Sequence, residues 1–281
     1  MRAFDTIASM TQLETFIAEQ KDKSISVAAY DFETGKEILV NADQAFHPAS
    51  TIKVHVMMEV FHQAAQGLLA LDDCLPITNS FTSIADESKF SLLERDDAEQ
   101  TLYHRSGEIE AISELTRLMI VRSSNLATNI LLEKIGTKNV SAFIQALDIQ
   151  GVTLIRGIED NAALALGMNN SATARGLTQT MKLIADGNVV STQASNKMIE
   201  IMLGQEFNES IPALLPDSVR VAHKTGWTGD VYHDTGIIYP EGESRKPYVL
   251  SILTRGFAED QEDEAHSCIA TISKIVYKQL Q

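Results

Sequence analysis

Cysteine is almost missing from this chain. It has two in 281 residues, Cys74 and Cys268, far apart and in no C-x-x-C spacing. That excludes a cysteine-built metal centre and a scaffold held by several disulfides. Two buried free thiols are the expected state, with a single disulfide between them left open. Long apolar runs are missing as well. No window reaches the roughly 18 uninterrupted apolar residues that a membrane helix needs. The start, MRAFDTIASMTQLETF, holds one arginine and no apolar run of signal-peptide length. The chain as it stands therefore reads as cytoplasmic, or as periplasmic or secreted if a signal has been removed. Positive charge is scarce: 23 Lys and Arg stand against 38 Asp and Glu, a net charge of −15. Such a surface repels nucleic acid and anionic membrane, so neither is an expected partner. Glycine and proline are few, 15 and 6, and no repeat or low-complexity linker interrupts the chain. What remains is an acidic globular chain with 44% hydrophobic content, enough for one large domain or two modest ones, and a monomer is expected.

Its periodicities change twice. Residues 8–20 carry Leu13, Phe16 and Ile17 at helical spacing, with Thr11 and Glu14 placed as a capping box. Two strand-like runs follow, at 24–32 and 36–43, joined by ETGK with Gly35 in the turn. From about 50 to 210 the pattern is mostly helical, with helices expected at 50–61, 108–122, 125–136, 139–151 and 173–187. The last three end at glycine. Strand chemistry returns at 218–226, 233–240 and 246–256, and a striped helix closes the chain at 263–280. This order predicts an α/β (α+β) fold: one antiparallel sheet assembled from both chain ends and flanked by helices, with an all-helical region inserted. The reading divides the chain into a sheet subdomain (1–48 and 212–281) and a helical subdomain (49–211), with the active site between them. The least regular stretches, 75–107 and 152–172, are where function is expected to concentrate.

The helix at 50–61 poses the chemical question. It is apolar nearly all round, yet Ser50 and Lys53 stand three residues apart on one face. A serine hydroxyl is a weak nucleophile until a base takes its proton, and a desolvated lysine can be that base. The ordinary alternative is an N-cap serine and a lysine that snorkels to solvent. Two further motifs bear on the choice. RSSNLATNILL holds Ser123-Ser124-Asn125 ahead of a helix, and AHKTGWTGD holds Lys224-Thr225-Gly226 at the end of a strand. The ordered set S-x-x-K, S-x-N, K-T-G resembles that of class A β-lactamases and penicillin-binding proteins. The resemblance runs over most of the chain.

The resemblance implies a serine hydrolase that opens a β-lactam amide through an acyl-enzyme. Ser50 would be the acylated nucleophile and Lys53 its proton partner. Ser123 would pass a proton to the leaving nitrogen, and Lys224 would supply positive charge beside it. Asn125 would hold the substrate's side-chain amide and help to fix Lys53, while Thr225 would bind the substrate carboxylate. The backbone N–H groups of Ser50 and Trp227 would form the oxyanion hole, and Gly226 would let the strand edge approach closely. These groups suffice without a metal, and no cofactor is expected. Lys224 near Lys53 would help to keep one lysine neutral, since like charges lower each other's pKa.

The chain also departs from the family pattern. The middle motif is S-S-N rather than S-D-N, so the hydrogen bonds of the aspartate must be made in another way. The glutamate that removes the acyl group belongs to an E-x-x-L-N pattern. Here Glu159 falls at the matching distance from Ser123, but EDNAALA has no asparagine four residues on. Asn169 and Asn170 come later, and Asp160 is the neighbouring fallback. The ordinary reading of Glu159 is a loop acid paired with Arg156 or solvent. The strand after K-T-G lacks the arginine of many members, and His233 and Asp234 stand in that region. His233 would contact substrate or, alternatively, only pair with Asp234. Trp227, the sole tryptophan, would wall the cleft or pack on its rim. His47 and His55 are expected to pack. Two other readings stay open: an esterase or D-alanyl peptidase-like hydrolase, and a penicillin-binding or sensing module acylated without turnover.

Overall fold

In the computed structural model, which describes residues 11–242 and 245–281, the two chain ends build one sheet. The first helix, α1 (Gln12–Glu19), opens on the expected capping box, in which Thr11 Oγ1 accepts from Glu14 N and the Glu14 carboxylate accepts from Thr11 N. Residues 8–10 of the expected helix lie outside the described residues. Strands β1 (Ser24–Asp31) and β2 (Glu37–Val40) form the predicted hairpin. Gly35 sits in its turn at φ +74°, where a side chain would be strained.

The inserted region holds α2 (Lys53–Ala65), α3 (Ile112–Val121), α4 (Asn125–Ile135), α5 (Thr137–Ala146), the short α6 (Asn161–Ala165), α7 (Ala174–Ala185) and α8 (Thr192–Leu203). Then come β3 (Arg220–Thr228), β4 (Val231–Tyr239), β5 (Tyr248–Arg255) and α9 (Glu262–Leu280). The sheet order is β2-β1-β5-β4-β3, antiparallel throughout, so residues from the two ends of the chain meet in register, as with Val27 opposite Ile252. Apolar side chains cover both faces. One face packs on α1 and α9 through Leu13, Ile25, Leu250, Ile269 and Ile272. The other joins the large core of the helical region.

Three expectations need correcting. Helix α5 stops at Ala146, well before Gly151, because Asp148 takes a left-handed φ of +54° that breaks the helical ladder. Helix α8 was not singled out by sequence pattern. Cys74 is exposed rather than buried; Cys268 is buried, and both thiols are free.

Helix α2 explains its own odd composition. Val54, Val56, Met57, Met58 and Val60 are fully buried, so this helix is enclosed on all sides. Each such side chain contributes roughly 1.5–3 kcal/mol by leaving water. Ser50 itself sits one step earlier than expected, in a 3-10 turn (Ala49–Ile52) that feeds α2. No side chain caps this turn, so the N-cap reading of Ser50 fails. Strand β3 is the edge of the sheet, and this turn and α8 pack against it.

Candidate active site

The three motifs converge where α2, the start of α4 and β3 meet. Lys53 is fully buried, and its Nζ donates to Ser123 O at 2.6 Å, to Asn125 Oδ1 at 2.8 Å and to Ser123 Oγ at 3.3 Å. Lys224, also fully buried, donates to the same Ser123 Oγ at 3.0 Å and to Thr225 O at 2.8 Å. One hydroxyl thus stands between two lysines. Burial drives the pKa of Lys53 down to about 7, against the opposing pull of Asp97 and Glu159. Burial, then the charge of Lys53, hold Lys224 well below the ordinary lysine range. Neither lysine snorkels, and the ordinary reading of Lys53 fails.

Backbone geometry is strained around these groups. Ala49 and Ser123 both take left-handed φ angles, +46° and +57°. Each costs on the order of 1–2 kcal/mol for a residue with a Cβ, and such strain gathers at sites that need an unusual presentation of side chains. Gly226 is required for a related reason. A Cβ there would come within 2.7 Å of Ser50 N and 2.8 Å of Thr51 N. Its missing side chain lets β3 close onto the nucleophile turn. The hydroxyl of Thr225 is buried without a partner.

The open side is a cleft of about 610 Å³, lined among others by Ser50, Asn125, Glu159, Asn170, Trp227 and Thr228. Trp227 is partly exposed and meets Phe207 edge-on at 5.2 Å, so it forms a wall of the cleft. Glu159 lies at φ +58° with its carboxylate 3.3 Å from Asn125 Nδ2. One amide therefore touches both the buried lysine and the loop acid. Burial first, then Asp96 and Asp97, raise the pKa of Glu159.

Glu159 is carried by a loop fixed at three points. Asn129 accepts from Ile158 N and donates to Ile158 O, at 2.8 and 2.9 Å. Asn170 Oδ1 accepts from Ile155 N and Arg156 N at 2.7 and 3.1 Å, and its Nδ2 donates to Arg156 O at 3.0 Å. Asp160 holds Ser83 Oγ, Ile84 N and Ala163 N. These bonds correct the fallback reading: Asp160 is buried and does not line the cleft. Arg156 does not pair with Glu159 either; it is buried, with Nη2 at 3.4 Å from His47 Nε2.

His233 is corrected as a substrate contact. It is buried within β4, where one ring nitrogen meets His47 O at 2.8 Å and the other accepts from Thr254 N at 3.1 Å. It supports the segment ahead of Ser50. It does not pair with Asp234, because neighbouring residues of a strand face opposite ways. Asp234 instead binds His223 at 2.9 Å and Ile211 N at 3.0 Å. His55 packs as expected, with Nε2 at 2.9 Å from Thr180 Oγ1.

Sequence reasoning missed Asp97. Its Oδ2 accepts from Asn125 N and Leu126 N, both at 2.9 Å, and from Tyr103 Oη at 3.0 Å. A carboxylate from a different loop thus caps α4, while Ser124 Oγ takes Ala127 N at 3.1 Å. With S-S-N in the motif, the first N–H groups of α4 are thus met by Asp97 and Ser124. Irregularity of 75–107 was the only sequence signal for it, since the contact spans 28 residues with no motif spacing. Among the described residues no group of three or more His, Cys, Asp or Glu could hold a metal ion, and no helix is long and apolar enough to cross a membrane.

Comparisons with known proteins bear on the family and the fold. A family model described as the beta-lactamase enzyme family matches residues 8–280. The carbapenem-hydrolyzing beta-lactamase KPC of Klebsiella oxytoca is 25% identical over 272 residues, which cover 92% of this chain and 86% of that protein. A beta-lactamase of Bacillus amyloliquefaciens is 26% identical over 284 residues, covering 96% of this chain and 86% of the other. Among solved structures, an ancestral Gram-negative class A beta-lactamase superposes with a TM-score of 0.81 at 23% identity, covering 95% of this chain and all of that one. The structure of PBP-A does so at 0.80 and 22%, covering 95% and 94%. Likeness at that identity speaks for a shared fold.

Proposed function

The chain belongs to the beta-lactamase enzyme family and is a beta-lactamase-like serine hydrolase, and on that premise we propose that it opens β-lactam amides by the class A route, through an acyl-enzyme on Ser50. Ser50 Oγ attacks the carbonyl carbon while Lys53, neutral in a large fraction near pH 7, takes its proton. The backbone N–H groups of Ser50 and Trp227 bind the oxyanion; such a donor is worth about 100- to 1,000-fold in rate. Ser123, poised between Lys53 and Lys224, delivers a proton to the departing ring nitrogen. Thr225 holds the substrate carboxylate. Glu159 then activates the water that releases the acyl group, as its burial, with Asp96 and Asp97, makes it a stronger base than a free carboxylate.

The observation that carries this reading is the buried Lys53, held at once by Ser123 and by the Asn125 amide that Glu159 also touches. Purified protein is expected to hydrolyse a chromogenic cephalosporin, and Ser50→Ala to abolish the hydrolysis. Stoichiometric labelling of Ser50 without product would overturn the hydrolase reading and leave a penicillin-binding module. One feature favours that second reading: both acceptor directions of Asn170 Oδ1 are taken by loop N–H groups, so it is not free to help Glu159 hold a water. Cleavage of p-nitrophenyl esters with β-lactams inert would point instead to an esterase or peptidase.

A further inference from the structure

Arg156 has a buried charge and, among the described residues, no carboxylate within ion-pair distance; the charge of Asp160 acts on it only from further away, against a larger cost of burial. Its side chain lines the cleft yet is only 6% exposed. Nη1 donates to Gly157 O at 3.2 Å, and Nε is buried without a partner. Nη2 faces His47 Nε2 at 3.4 Å. The other nitrogen of that ring, Nδ1, accepts from Ala49 N at 3.2 Å, so in the neutral imidazole the hydrogen sits on Nε2. Burial and the charge of Arg156 lower the His47 pKa, which favours this neutral form. Two donors therefore converge in the cleft with no acceptor between them. An unpaired buried guanidinium is costly, and an anion placed there relieves both the charge and the donor–donor contact.

The position in the cleft says which part of a substrate could supply that anion. One cleft is lined by Ser50 and Asn125 together with Arg156, His47 and Asn170. Ser123, Lys224 and Thr225 do not line it. Arg156 therefore shares the cleft with Ser50 and with the amide of Asn125, which is proposed to hold the acyl side chain, and not with Thr225. Asp96, Glu159 and Glu259 also line the cleft, so among the described residues Arg156 is its one lining cation.

We propose that Arg156 and His47 form an anion subsite that selects substrates bearing a carboxylate on the acyl part, in addition to the one bound at Thr225. The proposal rests on the acylating cleft argued above. Carbenicillin and benzylpenicillin differ by one carboxylate on the acyl side chain, so the ratio of their Ser50 acylation rates, read by intact mass, isolates the subsite. Arg156→Gln is expected to lower the carbenicillin-to-benzylpenicillin ratio by about 10- to 100-fold, the range of a charge-assisted contact, with Arg156→Lys in between. An unchanged ratio in a folded Arg156→Gln protein overturns the proposal. Should Arg156→Gln fail to fold, the same ratio in Arg156→Lys and in His47→Phe decides by the same criterion. If neither penicillin labels Ser50, the hydrolase reading fails, and the subsite is judged apart from it. Glutarate is then titrated against the fluorescence of Trp227, with neutral glutaramide as control. Saturable quenching by glutarate alone, lost in the Arg156 variant, supports the subsite. No response, or the same response in the variant, overturns it.

Discussion

The two sides of the cleft are built differently. Behind one side, Lys53, Lys224, Ser123 and Asn125 form a closed network in which the two lysine Nζ atoms make five hydrogen bonds of 2.6–3.3 Å. These residues come from a buried helix, a helix N-terminus and a strand. On the loop side, Glu159 and Arg156 stand on irregular chain, fixed through the amides of Asn129 and Asn170 and the carboxylate of Asp160. There a buried Arg156 nitrogen is left without a partner, and the Glu159 carboxylate meets Asn125 Nδ2 at 3.3 Å. The rigid side is suited to forming the acyl bond. The loop side is where substrate choice and release are tuned, because a loop can change its groups without disturbing the core.

The largest expected effect breaks the rigid side. Lys53→Met keeps the volume of the buried stem but removes the base, and acylation by a penicillin should slow by about 100- to 10,000-fold. In the unchanged protein the sign of the pH dependence follows from the lowered lysine pKa. Below about 7, Lys53 holds its proton and cannot accept another, so the acylation rate falls as pH drops and levels off above that value. Stopped-flow acylation from pH 5.5 to 9 measures both. A flat profile in the unchanged protein would place the base elsewhere.

The same division decides what could be read in the sequence. Ser50, Lys53, Ser123, Asn125, Lys224 and Gly226 sit in short motifs on or beside regular elements, and the structure brings the three motifs together. The sheet was equally legible, because strand-like runs return near the chain end and Gly35 marks the hairpin. The loop residues were not. Arg156 was one expected partner for Glu159, but its guanidinium lies against His47 instead. Asp97 carries no motif, since its partners on α4 lie 28 and 29 residues away and only folding sets that distance. His233 read as a substrate contact from its place after K-T-G, yet its ring is held inside the sheet on His47 O and Thr254 N.

A smaller effect separates the two sides. Glu159→Gln removes a base but leaves the Lys53 network in place. Ser50 should still be acylated, while release slows by about 100- to 1,000-fold, so the acyl-enzyme accumulates in intact-mass spectra. Product formation at an unchanged rate would assign release to another group and join the loop to the scaffold rather than to the chemistry.

The smallest effect tests how the network tolerates S-S-N. Asp97 Oδ2 binds the first two N–H groups of α4, and Ser124 Oγ binds the next free one, at Ala127. Asp97→Ala should destabilise the protein by about 1–2 kcal/mol, since it leaves these donors unmatched. Ser124→Asp should also destabilise it, because a second carboxylate then enters the same helix turn beside Asp97. Combined with Asp97→Asn, the cost of Ser124→Asp should shrink by about 1 kcal/mol, as the repulsion between the two acids is gone. Urea unfolding of the four proteins closes this cycle. Additive effects would mean that Asp97 and Ser124 cap the helix independently, and that the aspartate missing from the motif has not been replaced by the one from the neighbouring loop.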